Sequence, residues 1–181
     1  MRIYLDTGVF FDFLIERGHV ANTIRKGRRG RSNSQLASDI GDCFQKFNSH
    51  DVFTSNITLY EVEDAMFRNL SKTYGGVPNS KKFILMSSRP VILQTMTVCS
   101  IFNIIIEDVT APIFDTALRN IEFQKEGILI GDSIHLSTAI SQDVEMIISG
   151  DDHILNLDMK IKNSSNKLIR CFDTDVAKGL L

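Results

Sequence analysis

Short apolar runs alternate with segments of helical period along most of the chain, and this alternation constrains the fold more than any other feature. RIYL (2–5) passes at once into GVFFDFLIERG (8–18), a helix closed by Gly18. DVFTS (51–55) passes into NITLYEVEDAMFRNLSKTYGG (56–76), with Asn56 as N-cap and the glycines as its stop. A strand at 102–106 precedes APIFDTALRNIEFQKEG (111–127), a helix that tolerates Pro112 in its first turn and ends at Gly127. DSIHLSTAISQ (132–142) reads as helix, EMIIS (145–149) as a buried strand and KLIRCFD (167–173) as a last strand. Strands and helices in alternation predict a parallel sheet of about five strands with helices on both faces, a three-layer α/β/α architecture.

Two stretches are less regular. Residues 19–34, rich in Gly, Ser, Asn and Arg, read as a long loop, and period returns in SQLASDIGDCFQKFNSH (34–50), where Leu36, Ile40, Cys43, Phe44 and Phe47 share a helical face. Further on, SKKFILMSS is compatible with helix, Pro90 breaks any continuation, and VILQTMTVCSIFNIIIEDVT mixes strand-like runs without a clear period.

A length of 181 residues with 43% hydrophobic content suits one domain, 1–181, with a loop insertion at about 19–34. The start, MRIYLDTGVF, places an acid at position 6 and so lacks the apolar stretch of a signal peptide or membrane span; a soluble cytoplasmic protein with no membrane association is expected. Cys43, Cys99 and Cys171 lie far apart, without CxxC or Cys/His spacing, and read as buried thiols.

The formal net charge of −2 conceals a strong asymmetry, because RKGRRGR (25–31) holds five cations and no acid. Removing those five from the 20 Lys and Arg leaves 15 against 22 acids, a balance of −7 elsewhere. With no acid to pair with locally, Arg25, Lys26, Arg28, Arg29 and Arg31 form either a solvated loop or a patch that contacts the phosphates of a partner.

Four acids occupy comparable places. Asp6 ends the first strand, Glu61 lies in the second turn of the helix after DVFTS, Asp132 opens a helix and Asp151 follows MIIS. In a parallel sheet the strand C-termini and the following helix N-termini share one edge, so these four are expected to converge. Carboxylates about 4 Å apart repel by roughly 4 kcal/mol per pair at an effective dielectric near 20. Mg2+ or Mn2+ offsets such repulsion, and an all-oxygen ligand set suits these hard cations. A metal so held lowers the pKa of bound water and steadies charge on a phosphoryl oxygen, which points to phosphodiester hydrolysis.

IYLDTGVFFDFL, TSNITLYEVEDAM, ILIGDSIHLSTAI and MIISGDDHIL, in that order and over nearly the whole chain, resemble the four acidic motifs of the PIN-domain ribonucleases, particularly the VapC-type toxins of toxin–antitoxin pairs. The resemblance implies a PIN-like fold in which Asp6, Glu61, Asp132 and Asp151 are both catalytic and metal-holding. It places Ser149 in the hydroxyl position beside the last acid; the adjacent Asp152 reads as a turn residue or as an auxiliary ligand acting through water. It implies a Mg2+ (or Mn2+) dependent endoribonuclease leaving a 5′ phosphate and a 3′ hydroxyl. Its implied partners are RNA and a small antitoxin protein, with a homodimer as one assembly open to it. The stretch between Asp6 and Glu61 is longer than in compact members, and IGDS leaves the register of the helix at 132–142 open.

Neighbouring residues have plainer expectations. Glu63 should face solvent, Asp64 should stand behind the ligands at most, and Asp12 should lie at the surface or pair with a nearby base. His135 should be a helix-packing or surface histidine. Three other functions compete: an RNA-processing PIN nuclease that is not a toxin, a non-catalytic RNA-binding protein, and a haloacid-dehalogenase-type phosphatase. The last needs a second Asp two residues after the nucleophile, where this chain has Gly8.

Overall fold

A computed structural model describes residues 1–17 and 27–181. Its sheet has five parallel strands: β1 (Arg2–Leu5), β2 (Asp51–Ser55), β3 (Ile104–Glu107), β4 (Met146–Ile148) and β5 (Arg170–Phe172). They are arranged β3-β2-β1-β4-β5. Parallel neighbours require long crossovers, and helices supply them: α1 (Thr7–Arg17), α2 (Asn33–Lys46), α3 (Ile57–Tyr74), α4 (Ser80–Ser88), α5 (Pro90–Ile101), α6 (Ala111–Arg119), α7 (Ile121–Lys125) and α8 (Ile130–Ser141). A single 3-10 turn (Phe47–Ser49), the short α9 (Asp152–Leu155) and a terminal α10 (Thr174–Leu180) complete the described elements.

Both sheet faces are covered, so the strand interiors are apolar on both sides, while the edge strand β3 leaves Ile105 exposed. Ile3, Leu5, Val52, Ile104, Met146 and Ile148 face one core with Phe10 and Phe13 of α1, Phe44 of α2, Val62 of α3 and Val98 of α5. Tyr4, Phe53, Ile147 and Cys171 face the other, against Phe123, Leu136 and Ile154. Cys43, Cys99 and Cys171 are free and buried, and burial pushes each thiol up to about 12.

The irregular stretches resolve by local chemistry. The helix expected from position 34 begins at Asn33, because Ser32 caps it by accepting from Gln35 N while the Gln35 side chain accepts from Ser32 N. Pro90 does not end helical structure. Arg89 keeps helical dihedrals and Pro90 opens α5 at a position where its missing N–H costs nothing. The strand-like run after it is therefore helix as far as Ile101, and the α4–α5 segment is long and apolar enough, by length and composition, to cross a membrane. It nevertheless packs Ile84, Val91, Val98 and Cys99 into the interior. The helix expected over 111–127 is two, broken at Asn120, whose side chain caps α7 by accepting from Phe123 N.

Candidate active site

The strand order reverses at β1, which pairs with β2 on one side and β4 on the other. Ligands of open parallel sheets collect at the C-terminal strand ends beside such a switch point. Asp6 leaves β1 there: its N–H donates to Ile148 O at 3.0 Å and its side chain is buried. Ser149 leaves β4 beside it, donating from Oγ to Asp6 Oδ2 at 2.7 Å and accepting from Asp151 N at 2.9 Å. This hydroxyl ties the first acid to the last. Asp151 also caps α9, accepting from His153 N at 2.7 Å.

Glu61 comes from the second turn of α3 and Asp132 from the first turn of α8, where helix N-termini favour negative charge. The segment IGDS is helical from Ile130, and Gly131 lets α8 approach α3, since a methyl there would lie 3.1 Å from Glu61 Oε1. Asp6, Glu61, Asp132 and Asp151 together line a cavity of about 360 Å³, with Thr7, Gly8, Arg28, Tyr60, Asp64, Ala65, Arg68 and Gly150.

The electrostatics are those of crowded carboxylates. Burial raises the Asp6 pKa and the nearby Glu61 charge adds to it, against opposition from His135 and the Ser149 hydroxyl. Burial, then Asp6 and Asp151, push Asp132 up to about 6. Glu61 is the exception. Burial works to raise it, but the hydrogen bond and charge of His135, with the Thr7 hydroxyl, hold it below its ordinary value.

His135 is the residue that sequence reasoning undervalued. It is 1% exposed, so a surface role is excluded. Its Nε2 lies 2.8 Å from Glu61 Oε2, and since a carboxylate only accepts, that nitrogen carries the proton. Nδ1 lies 2.7 Å from Tyr4 Oη and 3.3 Å from Ser55 Oγ. Thr7 Oγ1 donates to the same Glu61 oxygen at 2.5 Å. The two donors hold the Glu61 carboxylate in one orientation. A signal for this existed in RIYL, because a tyrosine buried in a strand needs a partner for its hydroxyl.

Other expectations are corrected. Asp152 does not line the cavity; its side chain is 78% exposed and pairs with Arg29. Glu63 is partly buried and pairs with Arg89 at 3.2 Å. Asp64 lines the cavity and pairs with Arg68 at 2.9 Å. Arg25 and Lys26 lie outside the described residues. Arg28, Arg29 and Arg31 do not stand unpaired, although no acid is near them in sequence. Arg28 bridges Asp12 Oδ2 at 2.7 Å and Asp173 Oδ2 at 2.8 Å, and both carboxylates are buried. Arg29 and Arg31 reach the same Asp173 oxygen, and Arg31 also binds Asp39 at 2.9 Å. Asp173 ends β5 as Asp6 ends β1, but the Arg28 and Arg31 guanidinium groups and the Thr174 N–H hold its carboxyl below the usual range despite burial.

The donor set of the cavity, oxygen only and mutually repelling, fits a hard divalent cation. Among the described residues no three His, Cys, Asp or Glu side chains form a ready metal-holding group, so the four acids share a cavity without converging on one point. Comparison of the chain with protein-family models, curated proteins and solved structures finds no match.

Proposed function

We propose that the protein is a Mg2+ or Mn2+ dependent endoribonuclease, similar to the PIN-domain enzymes, acting as the toxin of a toxin–antitoxin pair. The observation that carries the nuclease reading is the gathering of Asp6, Glu61, Asp132 and Asp151 on one cavity at the switch point of a parallel sheet. A non-catalytic RNA-binding module would gain nothing from carboxylates that repel the backbone.

In this reading the four acids would hold the cation directly or through water, and the cation when bound supplies a hydrolytic water of lowered pKa and charge stabilisation at the phosphoryl group. The chain's own residues do the rest. Ser149 keeps Asp6 and Asp151 in register by its two hydrogen bonds. His135 and Thr7 hold Glu61 ionised and oriented.

The test uses purified wild type and Asp132→Asn with single-stranded and structured RNA, in magnesium or EDTA. The expected result is cleavage by wild type in magnesium alone, with 5′ phosphate ends, and none by Asp132→Asn. Cleavage that persists in EDTA, or in the variant, removes the site from the reaction.

A further inference from the structure

A row of side chains on α3 leads outward from the acidic cavity. Tyr60, Asp64, Arg68 and Lys72 are spaced four apart and so follow one ridge of the helix, which winds slowly about its axis. The ridge is about 18 Å long. Tyr60 stands at its inner end, lining the cavity beside Glu61 although the residue is 66% exposed. So large an aromatic surface in water beside carboxylates adds little to the core. Further along, a second cavity of about 410 Å³ between α1 and α3 shares Thr7, Gly8, Ala65 and Arg68 with the first and adds Phe11, Asn69 and Lys72. The two form one trough, acidic at its inner end and basic at its outer end.

We infer that this trough takes a single strand of RNA, with a base flanking the scissile phosphate stacked on Tyr60 and the neighbouring phosphates against Arg68 and Lys72. The inference rests on the ribonuclease reading and adds to it the form of the substrate and its path. Stacking on an exposed aromatic side chain needs a base free of its own helix, and it tolerates any sequence because every base has a π-face. Arg68 and Lys72 are about 6 Å apart along the helix axis, comparable to one step of nucleic-acid backbone. Arg68 already meets Asp64, but a solvent-facing i,i+4 pair is weak and exchanges for a phosphate. The other cation on the cavity wall, Arg28, is committed to Asp12 and Asp173. The cavity opens between α1, α3 and α8 with buried Asp6 at its inner end, and a single strand enters such a cleft more readily than a rigid duplex.

The experiment measures affinity and salt dependence for a short fluorescent single-stranded RNA, with every substitution made in the Asp132→Asn background so that nothing is cut. Tyr60→Ala should weaken binding about tenfold or more with its salt slope unchanged, and Tyr60→Phe should restore it. Arg68→Ala with Lys72→Ala should lower the log–log salt slope by about 1.4. Lys160→Ala with Lys162→Ala, neither residue lining either cavity, should leave the slope as it was. A duplex of the same sequence should bind more weakly and ignore Tyr60→Ala. Unchanged melting temperatures confirm folding of these surface variants.

Tyr60→Ala binding as tightly as its parent, Tyr60→Phe failing with it, or an unaltered slope in the Arg68/Lys72 variant overturns the trough. If wild type cuts RNA and any of these occurs, only the path is wrong. If wild type neither binds nor cuts RNA, the ribonuclease reading falls, and the path with it.

Discussion

Asp132 is costly to the fold, and the cation proposed for the cavity would offset that cost. Its pKa of about 6 in the folded protein lies above the ordinary 3.8, because burial and the charges of Asp6 and Asp151 disfavour ionisation. Between those two values the folded state keeps a proton that the unfolded chain has released, so stability falls as pH rises through the window and levels off above it. In EDTA, the melting temperature of wild type should therefore drop from pH 3.8 to about pH 6 more steeply than that of Asp132→Asn. At pH 7 the variant should melt no lower than wild type. A wild-type curve no steeper than the variant's over that window would show that Asp132 is not the strained acid. His135 has the opposite character: its hydrogen bonds to Glu61 and Tyr4 join the site to the core, so truncation would expose two unmet partners at once.

At the scale of elements, the notable unit is the basic turn between α1 and α2. Arg28 and Arg31 pair across it, with Arg31 N donating to Arg28 O at 2.9 Å. Its guanidinium groups join Asp12 of α1, Asp39 of α2, Gly150 O before α9 and Asp173 at the start of α10. The turn thus fastens four separate segments beside the acidic cavity. Arg28 lies flat on Gly150, where a methyl group would overlap its guanidinium. Arg28→Ala removes one guanidinium from between the buried carboxylates of Asp12 and Asp173 and should lower stability by about 3 kcal/mol in urea unfolding. Gly150→Ala should reproduce part of that loss by displacing the same group, and should also reduce RNA cleavage because Asp151 is the next residue. Losses under about 0.5 kcal/mol in both variants would mean that the pairs behave as solvated surface contacts.

For the molecule as a whole, the proposed toxin role is tested by what the protein does in a cell. Expressed alone, wild type should arrest growth and Asp6→Asn should relieve the arrest at equal protein level. A small partner protein that restores growth should cover the acidic cavity, with an Arg or Lys reaching its carboxylates. Harmless expression of an enzyme that cuts RNA in vitro would move the function to RNA processing.

Local pattern was sufficient for the layers of the fold and for the placing of four acids at helix starts and strand ends. Apolar runs such as RIYL and EMIIS carry their own periodicity, and an acid after a strand is visible in the sequence itself. Pro90 misled because its effect depends on whether it lies inside a helix or opens one, which neighbouring residues alone did not decide. The arginine partners were beyond local reading for a deeper reason. Arg28 meets Asp173 across 145 positions and Asp12 across 16, so arginines that look unpaired in sequence are paired once the crossovers close. The same holds for His135, whose partners Tyr4 and Glu61 lie 131 and 74 positions away. Sequence determined which chemical groups stand at the sheet edge; tertiary structure decided which of them meet, because charge and hydrogen-bond pairing depends on distance in space, and only the packed topology sets it.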